Sequence, residues 1–271
     1  ERLLFGGARA VGTPQILHAS GLAPERGPTG EGVFPLHDKP KVWLLVRLRG
    51  LICGNYFEHY KKVGDMLAYL NVSTPIASGP GAPAEFQLYL SEGCCVGGAG
   101  AEDRAEYYCL TFGVVLLHPA SPGRFFVHGA GSGNEGASGG TSSTYELTLY
   151  AEDVRRFERM ISILRAVGNK TAARLERQLG LKALMDFDPI LSSGLHVENA
   201  LRLSASNWNH PSGTCPIGQV VDAQLRVLGA ERLRIADASV LPSPVSGHAD
   251  AAAQLIGQMA AGFVTRDWPP P

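Results

Sequence analysis

Leu233-Arg234-Ile235-Ala236-Asp237-Ala238-Ser239-Val240-Leu241-Pro242 is a short apolar run that closes on an acid set among small residues. It reads as a buried strand ending in a turn of the kind that grips a cofactor. Upstream stands Asn207-Trp208-Asn209-His210-Pro211-Ser212-Gly213-Thr214-Cys215, and downstream Ser246-Gly247-His248 opens a helix expected from Ala249 to Met259. At the other end of the chain, Leu3-Leu4-Phe5-Gly6-Gly7 reads as a second short buried strand. After it, Thr13-Pro14 reads as a helix N-cap with proline at the first helical position, and Gly21 stops that helix.

Between these ends the pattern changes. Residues 24–40 carry Pro and Gly without periodicity and read as loop. Apolar runs at Val42 to Leu48, Phe86 to Leu90, Tyr107 to Leu117 and Arg124 to Val127 are divided by Gly, Pro and Ser clusters, which predicts a mostly antiparallel sheet. Gly129 to Ser143 reads as a Gly/Ser-rich surface loop. Val154, Phe157, Ile161, Leu164 and Val167 recur at helical spacing, so the expectation is a helix over 151–167 and a second over 171–179, ended by Gly180. The order predicts an α+β / α/β chain, with an α/β layer entered at both ends and an antiparallel sheet with flanking helices between.

The composition excludes several function classes. With 271 residues and 45% apolar content the chain can bury a sizeable core. A net charge of -1, from 24 basic and 25 acidic residues dispersed along the chain, gives no field to attract nucleic acid. No apolar run is long enough to span a bilayer. The chain opens at Glu1 without a leader, which reads as a processed product or part of something longer. Five cysteines without a C-x-x-C pair indicate neither a disulfide scaffold nor a metal site. Asn71-Val72-Ser73 and Asn169-Lys170-Thr171 fit the glycosylation sequon at about the chance frequency. A G-x-G-x-x-G match at Gly131, Gly133 and Gly136 is rejected as a nucleotide site, because the residues after it cannot start the helix that would face a pyrophosphate.

Two histidines carry the candidate chemistry. His210 lies in a loop where Pro211 pins the backbone and Gly213 permits close approach of a ligand. An ordinary imidazole pKa of about 6.5 suits a general base, although a histidine tying the loop to a carbonyl is the competing reading. His248 falls near a helix N-terminus, where free amides attract a developing anion; helix capping is its competing reading. Cys215 reads as a small buried residue, and the remaining histidines as structural or exposed.

His210-x-x-Gly213-Thr214-Cys215, Val221-Asp222, Leu225-Arg226-Val227, Leu233 to Ser239, Pro242 and Ser246-Gly247-His248 together resemble the C-terminal part of a glucose-methanol-choline (GMC) oxidoreductase. Gly12 to Leu17 with Ser20-Gly21-Leu22 looks like the family's second signature. Leu36-His37-Asp38-Lys39-Pro40 resembles its L-x-D-H-P stretch, and Leu117-His118-Pro119 with Ser121 and Gly123-Arg124 its central strand motif.

The resemblance implies FAD-dependent oxidation of an alcohol. A histidine takes the hydroxyl proton and hydride passes to the flavin, with His210 in the base position and His248 in the second. Asp237 and Ala238 fall where the family's backbone contacts the FAD phosphates and ribityl chain. The helix opening at Gly247, Ala249 and Asp250 points its N-terminus at the flavin's pyrimidine edge. The implied division is a partial FAD segment over 1–40, a substrate-binding domain over 41–206, and a C-terminal FAD segment with the histidines over 207–271.

Departures accompany the match. The family's N-terminal FAD-binding portion with its Gly-rich turn is missing, so the FAD-binding part, Rossmann-like in the family, is incomplete and another polypeptide is expected to complete the sheet. Ser20-Gly21-Leu22-Ala23 replaces Ser-Gly-x-Gly, Lys39 replaces a histidine, and Asp250 stands where many members carry asparagine. The leading expectation is therefore the C-terminal portion or subunit of an FAD-dependent alcohol oxidase or dehydrogenase. The alternative is a degenerate, non-catalytic subunit without FAD.

Overall fold

A computed structural model describes residues 4–6, 9–27, 30–49, 68–72, 84–96, 106–120, 122–129, 142–180, 182–187 and 196–268. In chain order the elements begin β1 (Leu4–Gly6), α1 (Arg9–Ala19), β2 (Glu25–Arg26), β3 (Gly32–Leu36), β4 (Pro40–Arg49), β5 (Ala68–Val72), β6 (Phe86–Val96), β7 (Glu106–Leu116) and β8 (Gly123–His128). They continue β9 (Ser142–Glu146), α2 (Ala151–Leu179), β10 (Lys182–Phe187), α3 (Val197–Ser204), β11 (Ser206–Asn207), β12 (Leu233–Ile235), a 3-10 turn (Ala238–Val240) and α4 (Asp250–Asp267). The rejected glycine motif at 131–136, most of the 129–143 loop and Ser73 lie outside the described residues.

The chain divides into two compact units, one of Glu1–Lys39, Ala120–Thr148 and Asn207–Pro271, the other of Pro40–Pro119 and Leu149–Ser206. Residues 120–148 thus group with the chain ends, whereas the sequence reading places them in the 41–206 region. The cause is pairing: β8 runs antiparallel to β3, with Phe34 opposite Phe125.

The second unit carries an antiparallel sheet in the order β10-β4-β7-β6-β5. Cross-strand partners share a face, so the registers Val42↔Val114, Leu88↔Val114 and Phe86↔Leu116 collect apolar side chains on one side. On α2, Val154, Phe157, Met160, Ile161 and Leu164 repeat at helical spacing and pack on that face, joined by Ala200 and Leu201 of α3. Phe86 and Phe157 meet edge to face at 5.6 Å between centroids. Gly113 is required on the opposite side of β7, because a Cβ there would stand 1.9 Å from the ring of its partner Tyr89.

α2 is one helix rather than the expected two. A lone interior glycine such as Gly168 costs only about 1 kcal/mol in a helix, and Thr171 keeps its hydroxyl bonded to the Val167 carbonyl at 2.9 Å. The Asn169 sequon therefore sits inside a helix. Gly180, at φ +64°, ends α2 as expected, its amide donating to the Glu176 carbonyl.

In the first unit β1 and β12 pair in parallel, Leu4 opposite Leu233 and Gly6 opposite Ile235. β2, β3, β8 and β9 form an antiparallel sheet. Leu17 of α1, Phe34 and Leu36 of β3, Phe125 and Val127 of β8, Ile235 of β12, and Ile256 and Ala260 of α4 share one core. Arg234 on β12 is 1% exposed, and its guanidinium is spent on the Gln224 carbonyl and on Asp267 at the end of α4. That ion pair fixes the far end of α4 against the strand.

α1 corrects the expected helix start. It begins at Arg9, and Pro14 lies inside it. Proline has no amide to donate to the carbonyl four residues earlier, that of Ala10. The Thr214 hydroxyl supplies the missing donor at 2.8 Å. The cap is also remote. Asp237 Oδ2 accepts from the Arg9 amide at 3.0 Å and from the Thr13 hydroxyl at 2.7 Å, placing a carboxylate at the helix's positive end.

Candidate functional site

The His210 loop is held by β3 and by the 3-10 turn. His37, just past β3, exchanges two backbone hydrogen bonds with Ser212, at 2.9 and 2.8 Å. Gly213, Cys215 and Ile217 donate in turn to the carbonyls of Ala238, Ser239 and Val240, at 3.1, 2.8 and 3.0 Å. Gly213 is at φ +71°, and a Cβ on it would meet His37 Cδ2 at 2.4 Å and the Leu241 carbonyl oxygen at 2.9 Å. The room that this glycine leaves is thus taken by His37 and Leu241, whereas the sequence reading assigns it to a ligand.

This scaffold brings the two predicted histidines together. The rings of His210 and His248 lie 4.3 Å apart between centroids at 82°, and Trp208 stands 6.2 and 6.1 Å from them. His210 is half-buried and His248 exposed. Burial lowers the pKa of His210, and the neighbouring His248 and Lys39 lower it further, against an opposing pull from Asp250. At neutral pH the ring is therefore a free base, able to accept a proton.

Beneath the pair, Asp38 and Lys39 are 4% and 3% exposed. Burial pushes the Asp38 carboxyl above the usual carboxylate range, opposed by the amides of Lys39, His210 and Trp208 and by the Lys39 ammonium. Asp38 Oδ1 accepts from the Lys39 amide at 2.7 Å and from the His210 amide at 3.3 Å. The Lys39 ammonium donates to the carbonyl of Gly247, immediately before His248. Burial pushes this ammonium down to about 8. Sequence reasoning assigned no role to Asp38 or Trp208, and marked Lys39 only as a departure. An acid and a base side by side between the apolar ends of β3 and β4 were the available signal.

The predicted cofactor residues fall in two groups. Asp237 is buried and its carboxylate is consumed by Arg9, Thr13 and its own Ser239 amide, so no part of that side chain is left for a ligand. The backbone amides of Asp237 and Ala238 donate to nothing among the described residues. Gly247 has nothing within 4 Å of a Cβ position. Ala249 is the N-cap of α4 without a side-chain cap, and Asp250 opens the first turn. Unspent amides beside a strand end and an uncapped 18-residue helix suit an anionic dinucleotide and an electron-rich ring edge, so these residues fit FAD. Cys215 is different: burial pushes its thiol up to about 12, which removes it as a nucleophile. Among the described residues no group of histidines, cysteines and acids has metal-ligand geometry, and no helix is long and apolar enough to cross a membrane.

Residues 142–257 match the family model described as GMC oxidoreductase. An ecdysone oxidase of Spodoptera littoralis is 30% identical over 193 residues, covering 66% of this chain and 31% of that protein. The mitochondrial choline dehydrogenase of Homo sapiens is 41% identical over 80 residues, 27% of this chain and 14% of the other. Among solved structures, a pyridoxine 4-oxidase from Mesorbium loti superposes with a TM-score of 0.63 at 20% identity, covering 98% of this chain and 51% of that one. A formate oxidase of Aspergillus oryzae, studied for FAD modification, gives 0.62 at 17% identity, covering 99% and 55%. The chain thus spans about half of these solved chains and a third or less of the curated relatives.

Proposed function

Because the chain belongs to the GMC oxidoreductase family, we propose that it is the part of an FAD-dependent alcohol oxidase or dehydrogenase that carries the proton-accepting histidine. The carrying observation is the contact of His210 with His248, their ring centroids 4.3 Å apart; burial, which lowers the His210 pKa, favours the proton-accepting form. His210 accepts the hydroxyl proton of a CH–OH substrate, and His248, exposed beside it, hydrogen-bonds the same oxygen as its charge develops. Bound FAD supplies the acceptor for the hydride leaving the substrate carbon. The amides of Asp237 and Ala238, with Gly247, Ala249 and Asp250 at the head of α4, are the residues to hold it.

On this reading the unit containing both chain ends is part of the FAD domain, and the α2 sheet unit binds substrate. The Gly-rich turn for the dinucleotide comes from polypeptide outside these 271 residues, in the same chain or another. Val11 and Ile16 on α1, at 41% and 48% exposed, and Leu255 and Met259 on α4, at 57% and 47%, are apolar surface that such polypeptide would cover.

The test is spectroscopic. The protein, purified from its source with everything attached to it, should show flavin absorption that bleaches on adding an alcohol. His210→Asn should slow that bleaching by about 10²–10⁴. A colourless protein would overturn the enzyme reading and leave the non-catalytic subunit.

A further inference from the structure

Lys39 stands where the resembled stretch has histidine, and it is the residue whose chemistry the proposed reaction leaves unused. Its stem runs through the protein interior, its side chain belongs to a residue 3% exposed, and its ammonium ends on the Gly247 carbonyl. Gly247 is one residue before His248 and three before Asp250, in a loop with no close packing at its own Cβ position. Asp38, one residue before Lys39, takes the backbone amide of His210. One dipeptide therefore grips both histidine-bearing loops, one through a carboxylate and the other through an ammonium.

We infer that Lys39 is a positioning residue: its hydrogen bond to the Gly247 carbonyl fixes the loop that presents His248 beside His210. This rests on His210 being the proton acceptor. The charged and titratable groups facing His210 are His248 and Asp250 from the α4 side, and Lys39 and Asp38 from the β3–β4 connection. Of these Asp250 favours the protonated ring, whereas His248 and Lys39 oppose it. Lys39 is suited to holding that carbonyl because an ammonium on a four-carbon stem has three donors and no acceptor. At pH 7 it keeps most of its charge, since burial lowers it only to about 8.

Diethyl pyrocarbonate attacks the neutral imidazole, so its rate at the His210 peptide against pH, read by mass spectrometry on the whole protein, gives the His210 midpoint without any turnover. Amide exchange over residues 243–250 reads the loop. Lys39→Gln keeps a donor within reach of Gly247 but removes the charge: the His210 midpoint should rise and exchange stay unchanged. Lys39→Met should raise the midpoint and also speed exchange by about tenfold, the loss of one hydrogen bond of ordinary strength. Lys39→Arg should leave the midpoint in place. Exchange over residues 243–250 as slow in folded Lys39→Met as in the parent protein overturns the inference, and Lys39→Leu decides if Lys39→Met does not fold. A colourless protein would remove the oxidase reading while leaving these readouts intact, so the two failures are distinct.

Discussion

Replacing Gly213 by alanine adds one methyl group at a backbone position with two separate objections to it. The first is conformational: φ is +71°, where a non-glycine residue costs about 1 kcal/mol. The second is spatial: the new Cβ would lie 2.4 Å from His37 Cδ2 and 2.9 Å from the Leu241 carbonyl oxygen. The His37 ring is itself held by a hydrogen bond to the Pro242 backbone, and the His37 backbone is tied to Ser212 in both directions. Forcing such a contact typically costs about 1–3 kcal/mol. Gly229 supplies the control, with φ +78° and nothing within 4 Å of a Cβ. Gly229→Ala should therefore lose about 1 kcal/mol and Gly213→Ala about 2–4 kcal/mol, read from urea unfolding midpoints at equal m-value. Equal losses in the two variants would show that His37 and Leu241 do not confine position 213, and the account of how this loop is held would be wrong.

Two further predictions concern the same unit. Thr214→Val keeps the shape of a fully buried side chain but strands the Ala10 carbonyl, so stability should fall by about 1–3 kcal/mol, while Thr214→Ser should recover most of it; a neutral Thr214→Val would mean that the carbonyl finds another donor. With its thiol pushed up to about 12, Cys215 is thiolate in about one molecule in ten thousand at pH 8, so iodoacetamide should label it in urea but not in the native protein; native labelling at the rate of an exposed cysteine would contradict its burial.

Helical periodicity carried the reading of α2, helical propensity that of α4, and apolar runs between Gly and Pro clusters that of β4, β6, β7 and β8, whereas β3 lies in a stretch read as loop. What escaped depended on distant partners. Thr13-Pro14 has the local form of a helix start, but the acceptor that begins α1 at Arg9 is Asp237, 228 positions away. The Pro14 defect is repaired by Thr214, equally remote. Gly168 looks like a break, but one interior glycine costs a helix only about 1 kcal/mol, and α2 runs through it. At the site, the histidines stood out because each sits in a loop with glycine close by, Gly213 three residues after His210 and Gly247 just before His248. Asp38 and Lys39 did not, since a buried acid and base differ from a surface pair only once their neighbours are placed.

The Asp237 carboxylate that caps α1 also has a consequence in time. A ribosome adding about 5–20 residues per second needs roughly 10–50 s to travel from Arg9 to Asp237. During that interval α1 has neither its cap nor the strand that β1 pairs with, so its apolar side chains are open to chaperones and proteases. Within this unit β1 and α1 are thus made well before they are secured, and their completion is coupled to the synthesis of the β12 segment that follows some 228 residues later.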